Sequence, residues 1–197
     1  MDKKISELTE LLTPSATDVL PIVNSGATKQ IQWGNLALLP LAGGTVTGRL
    51  TYPGIFGGIY VHDAAAVQAI PNGVTYTKLT CYVGNGPSSD VTPDAANDKI
   101  TLTVAGYYLV NCSLNFSAGN NKIFRMAPFL GGVEQDAIHI VRKIGTAGDV
   151  GSASFSGILT VAAVPVDLDV RARHDDAAPI NITMAYSNLS VHYVGTG

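Results

Sequence analysis

The chain has 197 residues, with 12 Lys and Arg against 15 Asp and Glu for a formal net charge of -3. That length suits one globular domain plus a short extension and needs no metal or disulfide to hold its core. Charged residues at 14% and apolar residues at 46% exclude a disordered chain, and the absence of a basic surplus excludes a nucleic-acid footprint. No apolar run reaches the length of a membrane span, and the N-terminal lysines lead into no apolar signal segment, so neither membrane insertion nor secretion is expected.

Ile5, Leu8, Leu11 and Leu12 form one helical stripe, which predicts a short amphipathic helix over the first twelve residues. Thr13-Pro14 ends it, because the residue before a proline avoids helical angles. Residues 19–23 and 29–33, separated by Asn24-Ser25-Gly26, predict a small hairpin. Pro40, Gly43, Gly44 and Gly48 then break any long element. Residues 1–58 therefore read as an extended segment with a helix and a hairpin, and residues 59–197 as the folded head.

From residue 59 the apolar residues alternate with polar ones in short runs. Strands are predicted over 74–83, 99–104, 106–116, 122–130, 133–141, 152–164, 166–173 and 180–194, with no convincing helix. Strands at this spacing mean an all-β sandwich or barrel. In 166–173 the apolar residues face one way, while Asp167, Asp169, Arg171 and Arg173 form a solvated charge ladder on the other. Tyr108, Val110, Cys112, Leu114 and Phe116 share a face opposite Tyr107 and Leu109. In the last strand the apolar parity changes between Tyr186 and Leu189, which predicts a bulge near Ser187-Asn188 or cover on both faces. Cys81 and Cys112, each inside an apolar pattern, read as buried free thiols. The low charged fraction leaves more apolar surface than one small domain hides, which points to an oligomer.

Two family resemblances follow from these segments. Val104-Ala105-Gly106-Tyr107-Tyr108-Leu109-Val110, Ser154-Phe155-Ser156-Gly157-Ile158-Leu159, the stretch from Ala69 to Leu79 and the closing Leu189 to Gly195 resemble, in order, motifs of the tumour-necrosis-factor and complement-type globular heads. That resemblance implies an antiparallel jelly-roll sandwich of ten strands that forms a compact homotrimer. Its expected trimer-interface residues are Tyr107, Leu109, Met184 and Tyr193. Asp18 to Ile31 resembles the docking segment that begins many bacteriophage fibre and virion proteins, and Leu39 to Gly48 resembles the PLAGGTxTG unit of phage tail fibres. This second resemblance implies a virion protein made in the host cytoplasm and attached to other phage structural proteins through residues 1–58. Leu20, Ile22, Ile31 and Trp33 are the expected docking residues, tryptophan being enriched at interface hot spots.

Catalysis is not expected. Glutamate occurs only at positions 7, 10 and 134, whereas polysaccharide-cleaving spikes rely on a carboxylate pair, and Asp167 and Asp169 sit among arginines. No nucleophile elbow or phosphate loop is present, so no cofactor is expected. His174-Asp175-Asp176 offers donors for a cation, but the following Ala177-Ala178-Pro179 favours a polar turn, and no calcium-loop spacing occurs. His62, His139 and His192 are expected in core or interface packing. Candidate receptor contacts, to a host glycan or protein, are Asn85, Asp90, Asp94 and Asn97 in one long connection, with Asn120, Asn121 and Asp149 in two others. Loops on a rigid sandwich commonly carry recognition. The expected function is that of a short fibre adhering to a host surface, with a capsid head-fibre or decoration protein as the alternative and a polysaccharide-cleaving spike as the third.

Overall fold

A computed structural model describes residues 19–24, 27–32, 54–63, 66–146 and 149–196. The chain divides into two compact units, Met1–Thr51 and Tyr52–Gly197. In the first, β1 (Val19–Asn24) and β2 (Ala27–Gln32) pair antiparallel, with Leu20 opposite Ile31 and Ile22 opposite Lys29. The predicted hairpin is therefore present. Trp33 and the predicted helix lie outside the described residues.

The second unit begins earlier than the change of pattern at residue 59, because β3 (Phe56–Val61) is already a strand of the head. After it come β4 (Ala66–Ile70), β5 (Thr77–Lys78), β6 (Gly84–Asn85), β7 (Val91–Asp94) and β8 (Lys99–Leu102). The long strands are β9 (Gly106–Ala118), β10 (Ile123–Leu130), β13 (Val150–Val161), β14 (Val166–His174) and β15 (Ile180–Gly195), with short β11 (Val133–Glu134) and β12 (Ile140–Lys143) between β10 and β13. Two expected strands are corrected. Within 74–83 only Thr77–Lys78 pairs regularly, and 133–141 breaks into β11 and the start of β12 around a turn where Ile138 N–H donates to Gln135 C=O.

Sheet I has the order β13-β9-β15-β3-β6, with β4 also on β15. Sheet II has the order β11-β10-β14-β8-β7, with β12 also on β10 and β5 on β14. All pairings are antiparallel. From β8 to β10 the chain crosses from sheet II to sheet I and back, and from β12 to β15 it crosses again at every step. This alternation between two facing sheets is a jelly roll. Its sheets hold seven and six strands, more than the ten implied, because short edge segments also pair.

The two inner faces make the core. Tyr108, Val110, Cys112, Leu114 and Phe116 of β9 are buried as their shared parity requires, and Leu168, Val170 and Ala172 face them from β14. Phe116 meets Phe124 edge-to-face at 5.6 Å, joining the sheets. In β15 the register shifts between Met184 and Tyr186, so Ala185 is the extra residue of a bulge. That bulge restores the inward facing of Ser187, Leu189 and Val191. Two motif glycines have steric causes. A Cβ on Gly157 would overlap Ile138 Cδ1, and one on Gly106, whose φ is +142°, would lie 2.6 Å from Gly195 O. Cys81 and Cys112 are buried free thiols. Desolvation, with the Asp98 charge as a lesser cause, pushes the Cys81 thiol up to about 12.

Candidate functional site

Two surfaces of the head carry the candidate residues. One end of the sandwich gathers the loops at 119–122 and 175–179 with residues 144–146 and 149, since β9 ends there, β13 and β15 begin there, and β14 finishes there. Ile144 N–H donates to Lys122 C=O at 2.8 Å and Asn121 N–H to Gly145 C=O at 3.2 Å. Lys122 Nζ reaches Asp176 Oδ1 at 2.8 Å. Asp175 takes Arg173 at 3.0 Å and Arg125 at 3.5 Å. A shallow depression of about 570 Å³ lies among Gly119, Lys122, Asp176 and Pro179. Asn120, Asn121 and Asp149 are exposed at this end, with Asn121 at φ +56° and Asp149 4.0 Å from Arg142.

His174 is wholly buried beneath these loops. Its Nδ1 accepts the Asp176 N–H at 3.2 Å, so Nε2 carries the proton and donates to Ile70 C=O at 2.8 Å. Both ring nitrogens are engaged, and Asp175 and Asp176 have cationic partners, so the triplet closes a turn. Among the described residues no group of three or more metal-ligating side chains comes together. The other histidines are not in the head's core: His62, His139 and His192 are exposed, which leaves only the interface half of the expectation open. A local sequence pattern cannot distinguish a histidine satisfied by distant backbone groups from one in solvent.

The other receptor candidates lie away from that end, along the β6–β8 edge, and most are occupied by their own loop. Asn85 Oδ1 accepts the Ala95 N–H at 2.8 Å. Asp94 caps the short 3-10 turn Ala95–Asn97, accepting from the Asn97 backbone at 3.2 Å and its side-chain amide at 2.9 Å. Asp90 stands at φ +52°, where its carboxylate accepts from Ser89 Oγ at 3.3 Å. Asn85, Asp94 and Asn97 thus build the connection. Part of their hydrogen-bonding capacity serves the fold, while Asn85 and Asn97 remain exposed. A buried carboxylate escaped the sequence reading here. Asp98, at φ +52°, accepts the Tyr82 N–H at 3.0 Å, and desolvation raises its pKa against that hydrogen bond.

The charge ladder of β14 is present and paired, but the expectation that it is solvated is corrected at Asp169, which is buried against Arg171. Asp167 accepts from Thr101 Oγ1 at 2.6 Å and Lys99 Nζ at 2.9 Å. Arg171 grips Asp169 at 2.7 and 3.1 Å and stacks over Phe129 at 4.4 Å, while Arg173 lies over Tyr76 at 5.2 Å. The two carboxylates each hold a separate cation.

The outer face of sheet I is the second surface. Tyr107 is 37% exposed and Leu109 half-buried there. Met184 is corrected: its side chain is 1% exposed in the head's own core. Tyr193 is also turned away, half-buried edge-on to Tyr108 at 5.3 Å. The bulge at Ala185 explains both, since residues before and after it reach the inner face with opposite parity. The pattern missed Ile158 (53% exposed), Tyr60 and Tyr186, and the Phe56–His192 stack at 5.8 Å. Between these lies a band of small polar groups, in which Ser156 donates to Asn111 at 2.7 Å and Ser152 to Asn115 at 2.6 Å.

No family model matches the sequence, and comparison with curated proteins found no match either. Among solved structures the head is similar to the Eiger TNF from S. frugiperda, at 10% identity over 74% of this chain and 96% of that one, with a TM-score of 0.47. It is also similar to murine APRIL, at 11% identity over 71% of this chain and 99% of that one, with a TM-score of 0.43. The jelly-roll assignment rests on the strand order.

Proposed function

We propose that this protein is a non-enzymatic homotrimeric phage virion appendage, a short fibre. In this reading the N-terminal unit attaches to other phage structural proteins and the jelly-roll head is displayed for adhesion to a host glycan or protein. The observation that carries the trimer is the outer face of sheet I, where Tyr107, Ile158, Tyr60 and Tyr186 remain exposed on a sheet whose inner face already fills the core. A closed symmetric ring of copies would cover it. Attachment is supported by the phage-like sequence of residues 18–31 and 39–48 and by the division of the chain at Thr51. Three loop ends on one rigid head would gain avidity on a repeating host surface. Asn120, Asn121, Asp149 and Asp90 are the leading recognition candidates, and Asn85 and Asn97 are also exposed although partly hydrogen-bonded within their own loop.

A capsid decoration role is the second reading. It is favoured by the internal hydrogen bonding of Asn85, Asp94 and Asn97, which leaves fewer groups for a ligand. Gold labelling of intact particles with an antibody against the head distinguishes the two. Label on the tail, with isolated head blocking adsorption, supports the adhesive fibre. Label over the capsid supports decoration, and no label on any particle overturns the virion assignment.

A further inference from the structure

The sequence contains two Asn-Gly pairs, Asn72-Gly73 and Asn85-Gly86. Such pairs are chemically vulnerable because glycine, without a Cβ, lets its backbone nitrogen approach the asparagine side-chain carbon. The structure treats them differently. At Asn85 both reacting groups are held: Oδ1 accepts the Ala95 N–H at 2.8 Å, and Gly86 N–H donates to Gly58 C=O at 2.8 Å. Asn72 lies exposed just beyond β4, and Gly73 has φ +97° with nothing within 4 Å of its Cβ position. Among the described residues no backbone acceptor engages the Gly73 N–H. Asn72 does hold one tether, Nδ2 donating to Ala177 C=O at 3.1 Å.

We propose that Asn72-Gly73 is a site of spontaneous deamidation, and that its conversion releases the 175–179 loop from the segment after β4. The Gly73 amide proton passes to solvent hydroxide, and the nitrogen attacks Asn72 Cγ. The new C–N bond forms as the Cγ–Nδ2 bond breaks, and ammonia leaves with a proton from water. Water then opens the cyclic imide at either carbonyl, giving aspartate or isoaspartate. The reaction needs no oxidant or other co-reactant. It replaces the amide donor to Ala177 by a carboxylate, which cannot donate to that carbonyl. His174, buried and bonded to Ile70 C=O, keeps the base of the loop in place, so the change is confined to its tip.

The full-length protein is incubated at mildly alkaline pH, sampled over time and digested for peptide mass mapping. The amide-to-acid mass increment should appear at Asn72 about tenfold faster than at Asn85, where two hydrogen bonds must open first. The Asn72→Gln variant, which keeps an amide but cannot form the five-membered ring readily, should lose that increment. The Asn72→Asp variant should show faster hydrogen exchange in the 175–180 segment while the β9 and β14 amides stay protected. Equal rates at the two sites, or Asn85 reacting first, would overturn the assignment. Unchanged exchange in 175–180 would overturn the proposed release.

Discussion

The outward residues of β14 and of β9 obey the same two-residue alternation, yet they end in different surroundings. On sheet II, Asp169 is 6% and Phe129 7% exposed, because Arg171 spans both and Tyr76 packs edge-to-face on Phe129 at 5.2 Å. The head closes that face with its own chain. On sheet I the equivalent positions are Ser, Asn, Tyr107 and Leu109, and among the described residues no segment of the head gives them comparable cover. An antiparallel sheet tolerates either arrangement. Which face stays open decides where another copy or partner can be accommodated.

The sharpest test of that contrast pairs two aromatic truncations. Phe129→Ala on sheet II should cost about 3 kcal/mol in denaturant unfolding, as for a packed core aromatic, while Tyr107→Ala should cost the isolated protomer under about 1 kcal/mol. Equal costs would erase the distinction between a closed face and an open one. Ile158→Asp probes the open face directly. It should weaken the proposed trimer by about 2 kcal/mol or more, read by sedimentation across concentration, with the fold retained by circular dichroism. A trimer that survives this change would move the interface off sheet I. Arg171→Ala should destabilise by about 2 kcal/mol, because the nearly buried Asp169 loses both of its hydrogen bonds from the guanidinium.

A smaller effect concerns pH. Hydrogen bonds from Thr101 and then Lys99 hold the Asp167 carboxyl below its ordinary value of 3.8. Its contribution to stability is therefore fully present above about that unfolded value and lost as pH falls through the lower folded one. Asp167→Asn should thus lower stability modestly at neutral pH, flatten the acid side of the stability profile below pH about 4, and converge on the parent at the acid end. Ser156→Ala, on the open polar band, should shift protomer stability by no more than about 0.5 kcal/mol.

Much of the frame was readable because strand parity is local. The inward set of β9, the charged outer set of β14 and the shift in parity along β15 follow from side chains alternating across a pleat. The small hairpin was readable for the same reason. The site was less legible. Met184 was misplaced because an apolar residue on a two-sided pattern looks the same whether it faces its own core or a partner. His174 was missed as a buried residue because its two partners, Ile70 and Asp176, are backbone groups that carry no sequence signal. Asn85, Asp94 and Asn97 looked free because a long polar connection does not reveal which groups it uses on itself.

By itself the sequence determined an all-β head, its alternating strands and two buried thiols, since hydrophobic burial acts on each short segment through its own period. Only the tertiary structure decided which outer face is closed, which loops meet at one end and which polar side chains remain available. Those outcomes depend on groups far apart in the chain, such as Arg171 over Phe129 and Asn72 against Ala177, whose meeting is set by the crossing of the chain between two sheets.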